Sequence, residues 1–329
     1  MVLDGVDLLR FENYSKNYLK ILTKQSTLVN LRLNSFQAQL NKKILDLRQQ
    51  KKPVRIIVLK ARQLGISTFG TGYIYHQAAT NHYQKGVVIA NDHENTNNLF
   101  NMCKRYWEFS PEFLRPMKRR DNAKALVFEN PNEKERKENS GLLSSIHLES
   151  ANKLTAGRSG TIHHLHCSEC AYWGNAPTII TGLFQAVPYR PETTILLEST
   201  ANGIAGVGEE FYRRWIRAQA GESDFLPVFF PWHKHSEYTL HTDSFEPTKE
   251  ETELAKEFNL TNDQLNWRRY KIKNEMGSAL LDPEDQFKQE YPMTPEEAFI
   301  ASGRSVFPVK KVMRDISRLR DKKVKQIEL

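Results

Sequence analysis

Two hydrophobic periods divide this chain. Val54 to Leu59 is an apolar run broken only by Arg55, and Gly86-Val87-Val88-Ile89-Ala90 is a second. Short runs of this kind predict strands buried on both faces. Ser67 to about Thr80 reads as a helix between them, so residues 54–90 predict a βαβ unit. Upstream, residues 8–50 read as helices. Leu19, Leu22, Leu28, Leu31, Leu33 and Leu40 recur at mixed helical spacing, and Asn34-Ser35 supplies an N-cap. Past the second strand, Leu99, Phe100, Met102, Cys103 and Tyr106-Trp107 give another helix an apolar face. Pro111, Pro116 and the basic run Lys118-Arg119-Arg120 end it; that run reads either as a phosphate contact or as a solvated turn. Residues 126–129 and 145–148 predict short strands joined by an exposed polar stretch, Asn130 to Ser140.

Residues 161–168 and 193–198 read as strands whose carboxyl ends are polar, Ser168-Glu169 and Ser199-Thr200-Ala201-Asn202-Gly203. Residues 207–219 predict an amphipathic helix bearing Phe211, Tyr212 and Trp215, and 226–232 a short strand with prolines at its limits. His233 and His235 just beyond read as polar surface. Residues 236–300 change character: they are charged and lack buried-strand runs. Pro247–Phe258, Thr261–Met276 and Pro283–Gln289 predict helices, with Thr261 and Asp282-Pro283 as starts. There is no internal repeat and no low-complexity tract.

Composition narrows the class. The 329 residues hold 47 Lys and Arg against 39 Asp and Glu, a net charge of +8. That excess suits a polyanionic partner, and a diffuse one also serves solubility. Three cysteines in a chain of this length make no disulfide scaffold and fit a reducing compartment. Met1-Val2-Leu3-Asp4 lacks the basic-then-apolar pattern of a signal peptide, and no apolar run reaches the roughly 20 residues of a spanning helix. The expectation is a soluble intracellular protein.

The candidate chemistry starts at the turn after the first buried strand, Lys60-Ala61-Arg62-Gln63-Leu64-Gly65-Ile66-Ser67-Thr68. It matches the phosphate-cradling pattern G-x-x-x-x-G-K-[ST] at Gly65 and Ser67. Lys60 holds the first glycine's place and Ile66 the lysine's, so the loop's cations are Lys60 and Arg62. By itself the segment reads better as an ordinary strand-to-helix turn with glycine at a tight spot. Ser168-Glu169 lies where open α/β sheets place their chemistry. The competing reading of residues 161–170 is a metal site, because three histidines and two cysteines crowd there with Cys167-x-x-Cys170 at their centre. No second distant ligand pair exists, since the remaining cysteine is Cys103. Strand alternation also separates Leu165 and Cys167 from His164 and His166. The strand reading is therefore preferred. Between the two sites, Thr155 to Gly160 reads as a mobile loop whose Arg158 is free to act elsewhere.

Together these segments resemble the ATPase half of the large terminase subunit of tailed double-stranded DNA phages. The matching pieces stand in the family's order: Phe36-Gln37, Lys60 to Thr68, His166 to Trp173, Glu198 to Gly203, and Gln289-Glu290-Tyr291-Pro292 with Glu297-Ala298-Phe299. They span about residues 34–307. The resemblance implies an α/β P-loop NTPase of the ASCE type, with a central mostly parallel sheet, flanking helices and a small helical lid. It divides the chain into an N-terminal helical segment with an adenine-binding motif (1–50), an ATPase core (51–225), a lid (226–307) and a linker (308–329) toward a nuclease domain. Only 22 residues follow Phe307, with Asp315, Asp321 and Glu328 as their acids, so a motor domain alone is expected.

The resemblance also implies roles. Gln37 would read the adenine edge, although a solvated helix glutamine is the plain alternative. Lys60 and Arg62 would meet the phosphates of ATP, Glu169 would orient the attacking water, and Arg158 would serve a neighbouring subunit's nucleotide. Ser199, Thr200 and Asn202 would couple hydrolysis to motion. Serine at 168 replaces the usual aspartate, which leaves Ser67 as the direct Mg2+ ligand and gives Ser168 a part through water. The implied partners are double-stranded DNA, a portal protein and the small terminase subunit, with a homo-oligomeric ring in the host cytoplasm and no membrane. Two rivals remain at this stage: a helicase-like DNA-dependent ATPase, and a non-enzymatic DNA-binding module with a decayed P-loop.

Overall fold

The computed structural model describes residues 9–122, 125–152, 160–277 and 282–299. The chain opens with helix α1 (Phe11–Tyr18), a hairpin of β1 (Lys20–Leu22) and β2 (Leu28–Asn30), and helix α2 (Ser35–Gln49). The hairpin corrects the all-helical expectation for residues 8–50. Its turn is closed locally: the Thr23 amide donates to the Thr27 carbonyl, and the Thr23 hydroxyl accepts from the amides of Gln25 and Thr27. Leu19 and Leu31 enter the core while Leu22 and Leu28 stay exposed, so the leucine spacing served a strand pair rather than a helix face.

The central layer is an eight-stranded sheet. Strand β3 (Val54–Lys60) leads into helix α3 (Ile66–Thr80), and β4 (Lys85–Ala90) into α4 (His93–Phe109). A meander of β5 (Arg120–Asn122), β6 (Ala125–Glu129) and β7 (Gly141–Ser150) follows, then β8 (His164–Ser168), α5 (Ala176–Gln185), β9 (Thr194–Ser199), α6 (Glu209–Gln219) and β10 (Leu226–Phe230). The spatial order is β10-β3-β9-β8-β4-β7-β6-β5, in which the first six strands are parallel and the last two pair antiparallel. One strand, β9, thus stands between β3 and β8, the strand that leads into Glu169, the arrangement expected of the ASCE type.

Every residue of β3, β8 and β9 is buried. Alternation divides their side chains between two cores. Ile56, Val58, Val88 and Leu196 face one layer with α1 to α4. Ile57, Leu59, Val87, Ile89, Leu165, Cys167 and Leu197 face the other with α5 and α6. Helices on both faces are what a parallel sheet requires, because neither face can be left to water. Lys118 and Arg119 of the basic run are held within the fold. The Lys118 ammonium lies 3.5 Å from the centre of the Trp107 ring, and Arg119 Nε is 2.6 Å from Glu129 Oε2.

The helical subdomain comprises α7 (Lys249–Phe258), α8 (Asn262–Glu275), α9 (Pro283–Glu290) and α10 (Pro295–Ala298). Thr261 and Asp282 cap α8 and α9 as their sequences predict. Residues 226–230 form the expected short strand, which pairs parallel with β3 in the central sheet, so the helical part begins after them. Trp232, Tyr238, Trp267, Phe287 and Tyr291 interlock at its heart, with ring centroids 4.8 Å apart for Tyr238–Trp267 and 5.0 Å for Trp232–Trp267. His235 is buried rather than surface, stacked on Phe36. Through Phe36 and Phe230 the lid shares the core of the first layer. No helix among the described residues is long and apolar enough to cross a membrane.

Candidate active site

The site assembles at the carboxyl ends of β3, β9 and β8. The loop after β3 is pinned on several sides. The Ala61 amide donates to the Phe230 carbonyl, and the side chains of Leu64 and Ile66 are buried. Gly65 has φ +75°, and a Cβ there would lie 2.8 Å from Gln37 Nε2, so only glycine fits. Position 66 therefore feeds the hydrophobic core, and the lysine at this end of the sheet is Lys60. Gln63 and the Arg62 side chain face solvent, while Ser67 and Thr68 are half-buried in the first turn of α3. The free N–H groups of that turn favour an anion.

Lys60 is almost wholly buried, and its ammonium bridges two carboxylates. Nζ is 2.8 Å from Glu169 Oε1 and 3.3 Å from Glu198 Oε2. Burial disfavours the charged lysine, but Glu169 and Glu198 outweigh burial and raise its pKa above the ordinary value. Ser67 Oγ donates to Glu198 Oε1 at 2.7 Å, and Ser168 Oγ donates to Ser67 Oγ at 3.2 Å. His166 Nε2 lies 3.4 Å from Glu198 Oε1. Its ring presses against α3 where Gly70 leaves room: a Cβ on Gly70 would come within 2.6 Å of it.

Glu169 follows β8 in a left-handed conformation, φ +51°, rare for a residue with a Cβ and a sign of local strain. Its Oε2 accepts from Ser199 Oγ and from the Thr200 amide, both at 3.3 Å. The end of β9 thus grips the carboxylate that Lys60 also holds. Asn202 sits further out, its Nδ2 donating to the Ala171 carbonyl at 3.1 Å. Tyr172 Oη, 3.0 Å from Thr200 Oγ1, ties the two segments again.

The structure therefore brings Lys60, Ser67, Ser168, Glu169, Ser199 and Thr200 together, and it sets others apart. Gln37 is buried behind the loop. Its Oε1 accepts from the Asn34 amide in a capping box, and its Nε2 donates to the Gly65 carbonyl at 2.7 Å. In this arrangement one N–H of its amide is spent on the loop's backbone and one lone pair on its own helix cap. Arg62 turns toward the lid, 3.3 Å from Glu290 Oε2, and Glu290 is the main cause of its raised pKa. Arg158 lies outside the described residues. The histidines and cysteines of 163–170 have other employment. His164 meets Gln84 and Thr194, His166 meets Glu198, and Cys170 Sγ donates to the Glu198 carbonyl.

Glu198 is the residue that sequence reasoning passed over. It is fully buried in the middle of the cluster. Burial pushes its pKa up, but the Lys60 ammonium and, after it, the neighbouring His166 pull it well below the ordinary carboxylate range. The available signal was a lone acid inside an otherwise apolar strand, Thr-Ile-Leu-Leu-Glu, one position before the polar segment.

No protein-family model matches this sequence, and no curated protein matches it. Solved structures do. The large terminase of bacteriophage HK97 superimposes with a TM-score of 0.53 at 13% identity, covering 82% of this chain and 59% of that protein. The ATPase domain of the Thermus phage P74-26 large terminase gives a TM-score of 0.51 at 14% identity, covering 79% of this chain and 92% of that domain. The present chain thus spans under two thirds of the HK97 protein and nearly all of the isolated ATPase domain. Its architecture, with a parallel sheet, a P-loop after β3 and a helical lid after β10, is the fold of a phage large-terminase ATPase domain.

Proposed function

We propose that this chain is the ATPase motor of a viral large terminase, hydrolysing ATP to drive double-stranded DNA into a procapsid. The observation that supports this most is the placement of Lys60 Nζ 2.8 Å from Glu169 Oε1, beside the first turn of α3. A P-loop lacking its usual lysine recovers a buried cation from the loop's start and sets it against a strand-end acid. The free amides of residues 65–68 would cradle the phosphates of ATP, and Lys60 would balance their charge. Glu169 would accept the hydrogen bond of the attacking water and hold it in line with the γ-phosphate. Ser199 and the Thr200 amide, bound to the same carboxylate, would feel any change there and pass it along β9.

The donors at this spot are hard oxygens, which fit Mg2+. Ser67 Oγ would hold it, with Ser168 close by. When bound, Mg2+ neutralises charge on the β- and γ-phosphates. Arg158 would complete the charge balance of a neighbouring subunit in a homo-oligomeric ring. A portal protein and a small terminase subunit would be the further partners, and DNA would be held through its phosphates without base readout.

Phosphate release from the purified protein with ATP and Mg2+ tests this reading. Glu169→Gln should retain ATP binding and slow hydrolysis at least roughly a hundredfold, the scale of a lost general base. Hydrolysis within a few-fold of the parent would remove Glu169 from its role. An absence of hydrolysis by the parent, with duplex DNA present, would favour a non-enzymatic module. ATP-driven separation of duplex strands would favour a helicase.

A further inference from the structure

We propose that Glu198 supplies the carboxylate ligand of the nucleotide's Mg2+, replacing from β9 the acid that position 168 of β8 lacks. This inference rests on the ATPase reading above and goes beyond it in naming a ligand from a different strand.

Register makes the exchange possible. Ser168 and Glu198 are direct cross-strand partners in the β8–β9 ladder. Their backbones stand about 4.8 Å apart. Strand β9 lies between β8 and the P-loop strand, so an acid on it reaches the loop's hydroxyl from closer by. It does reach it: Ser67 Oγ donates to Glu198 Oε1 at 2.7 Å. Two oxygens on adjacent corners of an Mg2+ octahedron stand about 2.9 Å apart, so this pair is already near the spacing that a shared ion demands. Ser168 Oγ, 3.2 Å from Ser67 Oγ, brings a third oxygen, but a neutral one. Mg2+ commonly takes only one or two carboxylates, the remainder being phosphate and water. Ser67 and Glu198 therefore suffice without a cage of acids, and no group of three or more His, Cys, Asp or Glu able to hold a metal occurs among the described residues.

Charge argues the same way. Glu198 is fully buried, a costly position for a carboxylate that has no function there. Its Oε2 has no well-formed hydrogen bond, only the Lys60 ammonium at 3.3 Å. Lys60 also serves Glu169, so one cation stands between two acids. Phosphates that draw Lys60 toward themselves leave both carboxylates short of positive charge, and a divalent ion at Ser67 restores it. The plainer alternative is that Glu198 only positions Lys60. The two assignments differ in one measurable respect. A lysine-positioning residue affects nucleotide binding with or without metal, whereas a metal ligand affects only the part of binding that Mg2+ adds.

The experiment measures the affinity of a non-hydrolysable ATP analogue in Mg2+ and in EDTA, for the parent, Glu198→Gln, and Glu198→Gln combined with Ser168→Asp. The parent is expected to bind more tightly in Mg2+. Glu198→Gln is expected to lose at least tenfold of that gain, a loss that even an outer-shell metal partner can cause, while its affinity in EDTA stays within about threefold of the parent. Adding Ser168→Asp, which returns the acid to β8, is expected to recover most of the gain. Equal losses in Mg2+ and EDTA, or an undiminished Mg2+ gain in Glu198→Gln, would overturn the proposal and leave the ATPase reading standing. A parent that binds no nucleotide under either condition would instead overturn the ATPase reading.

Should Glu198→Gln fail to fold, Glu169→Gln protein carrying 13C at its glutamate side-chain carboxyls, bound to Mn2+ and ADP, gives a second measurement. Electron–nuclear double resonance should then show a directly bound 13C-carboxylate. Its absence would refute the assignment.

Discussion

The carboxyl end of the sheet and the heart of the lid are both buried, and they are built on opposite terms. At the sheet end, Lys60, Glu169, Glu198, Ser67 and His166 crowd charged and polar groups into space that apolar side chains would fill more stably. In the lid, Trp232, Tyr238, Trp267, Phe287 and Tyr291 pack ring against ring. The difference separates function from stability. The first cluster holds one buried ammonium between two carboxylates, beside the left-handed backbone of Glu169. The second can lose one contact and keep the rest. They meet at Arg62. Its carbonyl accepts from the Tyr238 hydroxyl, its amide donates to the Glu290 carbonyl, and its guanidinium faces the Glu290 side chain. The loop after β3 is thus stitched directly to the helical subdomain.

Lys60→Ala breaks the comparison hardest. Removing one partner of a buried ion pair costs about 3–5 kcal/mol, and nucleotide binding should be lost with it. The pH dependence should also change sign. In the parent, Glu198 has a lowered pKa, so it contributes stability above the ordinary carboxylate value of 4.5 that is lost as pH falls toward about 2. Without Lys60, burial is expected to dominate and raise that pKa, so the variant gains stability as acid protonates Glu198. Melting temperatures followed from pH 7 down to about 2 test this. A variant that declines in acid like the parent would show that Lys60 is not the main counter-charge of Glu198.

Trp267→Ala probes the other region. Deleting a packed tryptophan costs about 3 kcal/mol at the lower end of the usual range, and this one is 8% exposed. Chemical denaturation should show the loss. Nucleotide affinity should follow only so far as the lid's hold on Arg62 loosens. If affinity collapses while the fold stays intact, the lid is part of the binding site rather than its support.

Arg62→Ala should have the smallest effect on stability. Its side chain is 58% exposed, so its ion pair with the more buried Glu290 is open to solvent on the arginine side. Such pairs contribute at most about 1 kcal/mol, less in high salt. A larger loss would mean that the guanidinium, and not only the backbone of residue 62, ties the loop to the lid.

Much of the fold was legible from local pattern. The apolar runs at 54–59 and 86–90 form strands buried on both faces because alternate residues serve different cores. Thr261 and Asp282 start their helices because a side-chain oxygen meets free amides within its own turn. Ile66 was likewise readable as an apolar position, and it packs into the core.

What the chain order could not reveal is which distant groups face one another. The hairpin at 20–30 escaped notice because leucine spacing alone does not separate a helix face from a strand pair. Gln37 became a clamp on Gly65 only once α2 had docked against the P-loop, 28 residues away. Glu198 looked like an odd acid in an apolar strand until the register of β9 with β8 set it opposite Ser168 and beneath Ser67. Segment type follows from near neighbours along the chain, and the sequence by itself determined it here. The pairing of charges follows from strand order and register, which are settled when the whole sheet closes and its two cores pack, so tertiary structure alone decided where each carboxylate found its cation.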